Sequence, residues 1–377
     1  MDRPRARYTG AMRILAIDMG TGTQDILLFD PARPVENNEK LILPSATEIA
    51  ARRIRRATAQ ARPVVLTGTV AGGGPCSWAL EDHLKAGYTA FATPEAAQTV
   101  DDDPAQVEAL GVRIVSEDEA VRLDGDRVRL QDLDLQAIAT ALAAFEVPAR
   151  VDGIALGCLD HGAAPPGISD RVFRFEHLRR TVERRNDLLA FATLPADLPD
   201  YLTRARAMVA SAGNEAAVAF MDTGPAAALG ALHDDRVAAE PEAAVVNLGN
   251  MHLLGFHLRR RRIASLFEHH TGAVDAGQIV HFVDGLCDGS LTNEEVFSSH
   301  GHGAFHADRS LVRGAPGVVA ATGPQRSKIA GTVLRPYFAA PFGDMMASGC
   351  FGLVRAFGEV YPEAREAIDH RLGALPA

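Results

Sequence analysis

The chemistry-bearing residues of this chain begin at Asp18-Met19-Gly20-Thr21-Gly22-Thr23, a turn between two apolar runs, 14–17 and 26–29. Apolar run, glycine turn and apolar run form the pattern of a β-hairpin. Gly20 and Gly22 let consecutive backbone N–H groups converge on a phosphate where a Cβ would block the approach. The Thr21 and Thr23 hydroxyls add donors, and Asp18 at the strand end can hold a magnesium ion through water. Taken alone, the segment also suits a structural hairpin with a capping aspartate.

The layout returns about 230 residues later, where Asn247-Leu248-Gly249-Asn250-Met251-His252 joins two further apolar runs. Repetition at that separation predicts two related lobes, the second turn gripping the outer phosphates from the opposite side of a cleft. A third segment, 318–328, runs from an apolar strand into Thr322-Gly323-Pro324, a turn against which an adenine and ribose can lie without side-chain collision. An ordinary strand-to-helix turn reads the same way.

Histidines are concentrated as well: eight of the 13 fall between 252 and 306, densest at His269-His270 and at His300-Gly301-His302. Neutral imidazoles bind zinc, iron or manganese, and the glycines around His300 and His302 would let a loop fold round an ion. The HExxH spacing is missing, which favours phosphate-contacting or polar-loop histidines over metal ligands. Asp160 and His161 close a buried apolar strand, where polar residues can orient a substrate or relay a proton, or simply satisfy each other.

These groups need elements to position them. The first hairpin is followed by a short strand at 41–43, a helical pattern over 47–61 and a strand ending at Gly68. Gly68 to Pro75 is too glycine-dense for regular structure and reads as a loop over a ligand or a tight crossover. A strand running into an alanine-rich helix is expected over 217–232, with Pro225 in its first turn, and 233–243 has linker composition. Two lobes follow, 12–235 and 240–369, with residues 1–11 a loose leader. At 377 residues the chain exceeds what one core sustains.

Hydrophobic residues at 47% and charged residues at 23% are values of a folded globular enzyme and exclude a disordered chain. The net charge of −10 argues against a nucleic-acid partner, Arg259 to Arg262 being the one basic run. Cys76, Cys158, Cys287 and Cys350 lack any CxxC spacing, which excludes an iron–sulfur cradle and suits a reducing cytoplasm. No run of about 18 apolar residues spans a bilayer, so no membrane partner is expected.

The three turns, in this order, resemble the superfamily of actin, sugar kinases and heat-shock chaperone ATPases. The resemblance implies an α/β fold of two ribonuclease H-like lobes around a nucleotide cleft, with ATP and magnesium as cofactors. Gly20, Thr21, Gly22, Thr23, Asn247, Gly249 and Asn250 would then hold phosphates, and Gly323, Pro324 and Gly349 of the closing helix the adenosine. FMDTGPAAALGAL, 220–232, is similar to the segment in which carbohydrate kinases of the FGGY group carry their catalytic aspartate. Carried over, Asp222 becomes the general base that takes a proton from an attacking hydroxyl, with Asp18 holding magnesium; a helix cap is its alternative role. The chain also looks like a prokaryotic family labelled as a pyruvate formate-lyase activating enzyme, sharing DMGTGTQD, the LDHG segment and the HGHG segment. Radical S-adenosylmethionine chemistry would need a cysteine triad that this sequence lacks.

The expected function is an ATP-dependent phosphotransferase acting on a small metabolite bound near Asp160 and His161. Two alternatives stand beside it: an ATPase that activates or repairs a partner enzyme, and a metal-dependent hydrolase using the 252–306 histidines, with His300, His302 and Asp18 as metal ligands.

Overall fold

A computed structural model describes residues 12–312 and 314–375; the leader expected over 1–11 lies outside them. Its strands, in chain order, are β1 Ile14–Met19, β2 Thr23–Phe29, β3 Glu39–Pro44, β4 Val64–Gly68, β5 Ala90–Ala92, β6 Val112–Ile114, β7 Asp126–Leu130, β8 Gly153–Cys158 and β9 Ala217–Asp222. They continue with β10 Glu242–Leu248, β11 His252–Arg259, β12 Arg262–His270, β13 Gly303–His306, β14 Val318–Thr322 and β15 Tyr337–Phe338.

These strands form three sheets, ordered β3-β2-β1-β8-β9, β13-β12-β11-β10-β14-β15 and β6-β5-β4-β7. In the first, β1 runs antiparallel to β2 and parallel to β8, and β8 runs parallel to β9. In the second, β10 runs antiparallel to β11 and parallel to β14, and β14 runs parallel to β15. The two sheets therefore share one strand order and one set of directions, with β13 added at an edge. The recurrence of hairpins in the sequence is a recurrence of whole sheets.

The first two sheets have apolar cores on both faces. β1 reads Ile-Leu-Ala-Ile-Asp-Met with every residue buried, the apolar run expected of a strand that parallel neighbours and helices cover. The largest core lies between the two related sheets and includes Ile14, Leu27, Phe29, Phe256, Leu266, Phe351 and Phe357. Each such side chain, fully buried, contributes about 1.5 to 3 kcal/mol. Separate cores fill the outer faces of the first and second sheets, around Leu156 and around Val283, and a fourth packs the β4–β7 sheet around Leu66.

The helices Thr223–Ala231 and Ser348–Val360 cross inside the central core. Their contact is backbone on backbone. A Cβ on Gly230 would lie 1.8 Å from the Ser348 carbonyl oxygen, and one on Gly352 would lie 1.9 Å from that of Ala226. These two glycines let the sheet units approach closely enough for their turns to meet.

The helix Ala46–Ala59 is capped by Ser45, whose hydroxyl receives the Glu48 N–H and donates to the Thr21 carbonyl at 2.5 Å. One side chain thus starts a helix and braces the first glycine turn. The next residues, expected as a loop over 68–75, lead into the helix Pro75–Lys85. Gly72 N–H binds Asp132 at 3.1 Å, and Gly74 packs against Met251 and Thr21, so the loop borders both hairpin turns. The expected strand after the first helix joins a separate sheet, because β4 pairs with β5 and β7 and with no strand of the first hairpin.

Candidate functional site

The β1–β2 turn and the β10–β11 turn meet across one crevice. A Cβ on Gly22 would lie 2.3 Å from the Asn250 side-chain amide, so glycine is what permits the contact. Asp18, Gly20, Thr21, Thr23, Asn247, Gly249, Asn250, Gly323, Pro324 and Gly349 line the same cavity, about 100 Å³ in volume. Gly22 sits just behind it against Asn250. Gly323 adopts φ +90° and packs under the Leu248 carbonyl, a conformation and a clearance that both favour glycine. At the far wall a Cβ on Gly349 would stand 1.8 Å from Asp18 Oδ2.

Two carboxyl groups share this crevice. Asp18 and Asp25 are register partners on β1 and β2, and directly opposed residues of an antiparallel pair project from the same face. Asp18 Oδ1 accepts a hydrogen bond from the Thr223 hydroxyl at 2.5 Å. Burial raises the Asp18 pKa to about 7, the Thr223 bond opposing and the Asp222 charge adding. Burial raises Asp25 to about 8, with the Asp18 charge adding to it, and Asp25 Oδ1 is buried without a partner. Asp25 escaped the sequence reading although a hairpin centred between Thr21 and Gly22 sets it opposite Asp18.

Asp222 takes the helix-capping position that its sequence offered, and it also meets Arg174. Its Oδ1 accepts the Gly224 N–H at 3.1 Å and caps the helix, while Oδ2 accepts from Arg174 Nη1 at 2.5 Å. It walls a different cavity, about 360 Å³, together with Asp160, Arg174, His177 and Thr193. Arg174 also reaches Glu268 through Nε and Nη2, each bond at 3.1 Å. Burial alone disfavours a charged guanidinium, yet Asp222 and Glu268 together hold the Arg174 pKa above its ordinary value. No sequence signal pairs Arg174 with a glutamate 94 residues away.

Asp160 and His161 part company. Asp160 spends its oxygens on the N–H groups of Gly162 and Ala205, each at 2.8 Å, and so clamps the chain leaving β8. His161 points instead to His252 and His302. Its Nε2 lies 3.2 Å from His252 Nε2 and 3.3 Å from His302 Nε2, and one nitrogen from each ring falls within 4.8 Å of the others. His270 lies tilted beside them, its ring 4.6 Å from that of His302 and 5.0 Å from that of His252. Burial lowers the His161 pKa to about 3 and carries His252 and His302 below the usual histidine range.

His300, expected to act with His302, is exposed and outside this group. Its φ of 71° turns the chain at the end of the helix Asn293–Ser298, so that His300 faces out and His302, two residues on, faces in. Asp18 is likewise not part of the histidine group. His161 and His252 also line a cavity of about 660 Å³ with Thr21, Gly73, Asp101, Asp102 and Asp170.

Cys76, Cys158, Cys287 and Cys350 are free and buried at separate places in the fold. No helix among the described residues is long and apolar enough to cross a membrane.

Among solved structures, one likeness is to "Lmo2764 protein, a putative N-acetylmannosamine kinase, from Listeria monocytogenes", at 10% identity over 93% of this chain and 100% of that one, TM-score 0.36. Another is to the ROK hexokinase of Thermus thermophilus, at 13% identity over 67% of this chain and 47% of that one, TM-score 0.23. A third is to the Aquifex aeolicus PPX-GPPA enzyme, at 10% identity over 97% and 90% of the two chains, TM-score 0.25. A search of curated proteins finds no match. The family model described as "Putative pyruvate format-lyase activating enzyme (DUF1786)" matches residues 71–328, more than half of the sequence, and the chain belongs to that family.

Proposed function

We propose that this protein is an ATP-dependent phosphotransferase of the actin-like type, its two related sheets being ribonuclease H-like lobes that close on a nucleotide. The observation that carries this reading is the meeting of the two glycine turns: Gly22 touches Asn250 behind a crevice that both turns line and that Gly323 and Pro324 close from a third side. Three chain segments, more than 300 residues apart at the extremes, supply the backbone and small side chains that a polyphosphate and its nucleoside need.

The crevice fits a magnesium ion. Asp25 Oδ1 is a buried acceptor with no partner, and Asp18 lies directly opposite it, so the two carboxylates would hold the cation. When bound, magnesium would neutralise charge that gathers on the phosphate oxygens. At about 100 Å³ the crevice is smaller than the roughly 300 to 1,000 Å³ of ordinary ligand sites, so the lobes must part to admit a nucleotide.

The acceptor metabolite takes the 360 Å³ cavity walled by Asp222. There Asp222 orients the attacking hydroxyl and receives its proton, and Arg174, bonded to Oδ2, fixes the carboxylate in direction. Thr223 links this cavity to Asp18 in the other.

Purified protein with magnesium and ATP, assayed for ADP release with and without fractionated cell metabolites, tests the reading. ADP release stimulated by one fraction is expected, and Asp222→Asn should lower it about 100- to 10,000-fold. Absence of nucleotide binding at millimolar ATP would overturn the proposal.

A further inference from the structure

We infer that His161, His252 and His302 form a binding site for one divalent transition metal ion of the zinc type, seated between the two related sheet units. The inference is independent of the nucleotide reading and rests on how three ring nitrogens face one another.

An imidazole nitrogen carries either one proton or one lone pair, never both. His161 Nε2 stands 3.2 Å from His252 Nε2 and 3.3 Å from His302 Nε2. Protons cannot satisfy all three: a protonated His161 Nε2 must split one hydrogen between two acceptors, and an unprotonated one must serve two donors with a single lone pair. A metal ion satisfies all three at once. Two nitrogens bound about 2.05 Å from a tetrahedral zinc lie about 3.3 to 3.4 Å from each other, close to the spacing of His161 from His252 and from His302, and all three nitrogens fall within 4.8 Å of one another. Imidazole donors suit zinc, and also iron, nickel and copper, and they do not suit magnesium or calcium.

The surroundings accept a cation. Arg174, beside the cluster, is outnumbered by its two carboxylate partners, Asp222 and Glu268. Three protein ligands leave the fourth position free, as in zinc sites that bind water or an oxygen of a substrate. His161 and His252 border the 660 Å³ cavity, whose walls carry Asp101, Asp102 and Asp170, so that position opens towards solvent and towards Thr21 of the first glycine turn. His161 follows β8 of the first sheet, whereas His252 begins β11 and His302 precedes β13 of the second. One ion would therefore tie the two units together beside the crevice.

Full-length protein, stripped with a chelator and titrated with zinc sulfate against a chromophoric competitor, should bind one zinc per chain. His161→Ala, His252→Ala and His302→Ala should each weaken binding at least 100-fold, while His300→Ala should leave it within about threefold. Cobalt(II) should give the intense visible bands of a tetrahedral complex, and His161→Cys should add a thiolate-to-cobalt charge-transfer band in the near ultraviolet. That new band requires a folded site, so a variant that merely misfolds cannot produce it. Failure to bind zinc or cobalt stoichiometrically, or binding unaffected by the three alanine variants, would overturn the inference.

Discussion

Asp18 and Asp25 are two opposed carboxyl groups buried together, and one Asp25 oxygen has no partner. With pKa values raised to about 7 and about 8, both groups hold protons at pH 6 that they surrender by pH 9. A magnesium ion must displace those protons, so its affinity should rise with pH across this window, about tenfold per unit for each proton released, and level off above it. Calorimetric titration of magnesium from pH 6 to pH 9 checks this. The stability effect has the opposite sign. A carboxyl raised in the folded state binds a proton that the unfolded chain has already lost above about pH 4, so folding weakens as pH rises from there to about 8. Asp25→Asn removes that term: without magnesium the variant should gain stability over the parent as pH rises, on the order of 3 kcal/mol by pH 9 in urea melts. Asp18→Asn should abolish magnesium-dependent nucleotide binding while leaving the far-ultraviolet circular dichroism unchanged.

At the scale of elements, the two crossing helices are where small residues matter most. Alanine at Gly230 or Gly352 places a methyl group inside contact distance of a backbone carbonyl, which no side-chain rotation can relieve. Either substitution should destabilise the protein by about 3 kcal/mol or more, read from chemical denaturation midpoints. Arg174 is the second such point, reaching from the helix Asp170–Arg184 to β9 and β12. Arg174→Ala leaves Asp222 and Glu268 buried without their counter-charge and should cost about 3 to 5 kcal/mol. Glu268→Gln, which keeps the shape and one acceptor, should cost less, and the contrast separates charge from packing.

The whole molecule pairs two sheets of one design, and its candidate sites lie along the seam between them. The glycine turns, the Arg174 network and the three histidines each draw residues from both units. A crevice of about 100 Å³ must widen for a nucleotide to enter, and every one of these contacts resists the widening. Small-angle scattering should accordingly show a larger radius of gyration for the protein saturated with magnesium and a non-hydrolysable ATP analogue than for the free protein. Equal radii in the two states would contradict lobe motion as the route of entry.

Elements whose signals are local can be read from the residues alone. Glycine and threonine between apolar runs specify the hairpin of β1 and β2, its echo specifies that of β10 and β11, and the Ala-rich segment after Asp222 specifies the capped helix, because turn geometry and strand alternation act over a few residues. Even Asp25 was implicit there, since a hairpin's register follows from its turn. Which distant residues meet is settled in the folded chain. Arg174 finds Glu268, His161 finds His252 and His302, and Asp160 turns inward while its neighbour does not. Such encounters depend on sheet order and on helices crossing through glycines, which no local pattern encodes. His300 and His302 illustrate the boundary: identical side chains two residues apart are sorted to solvent and to the seam by one residue's backbone angle.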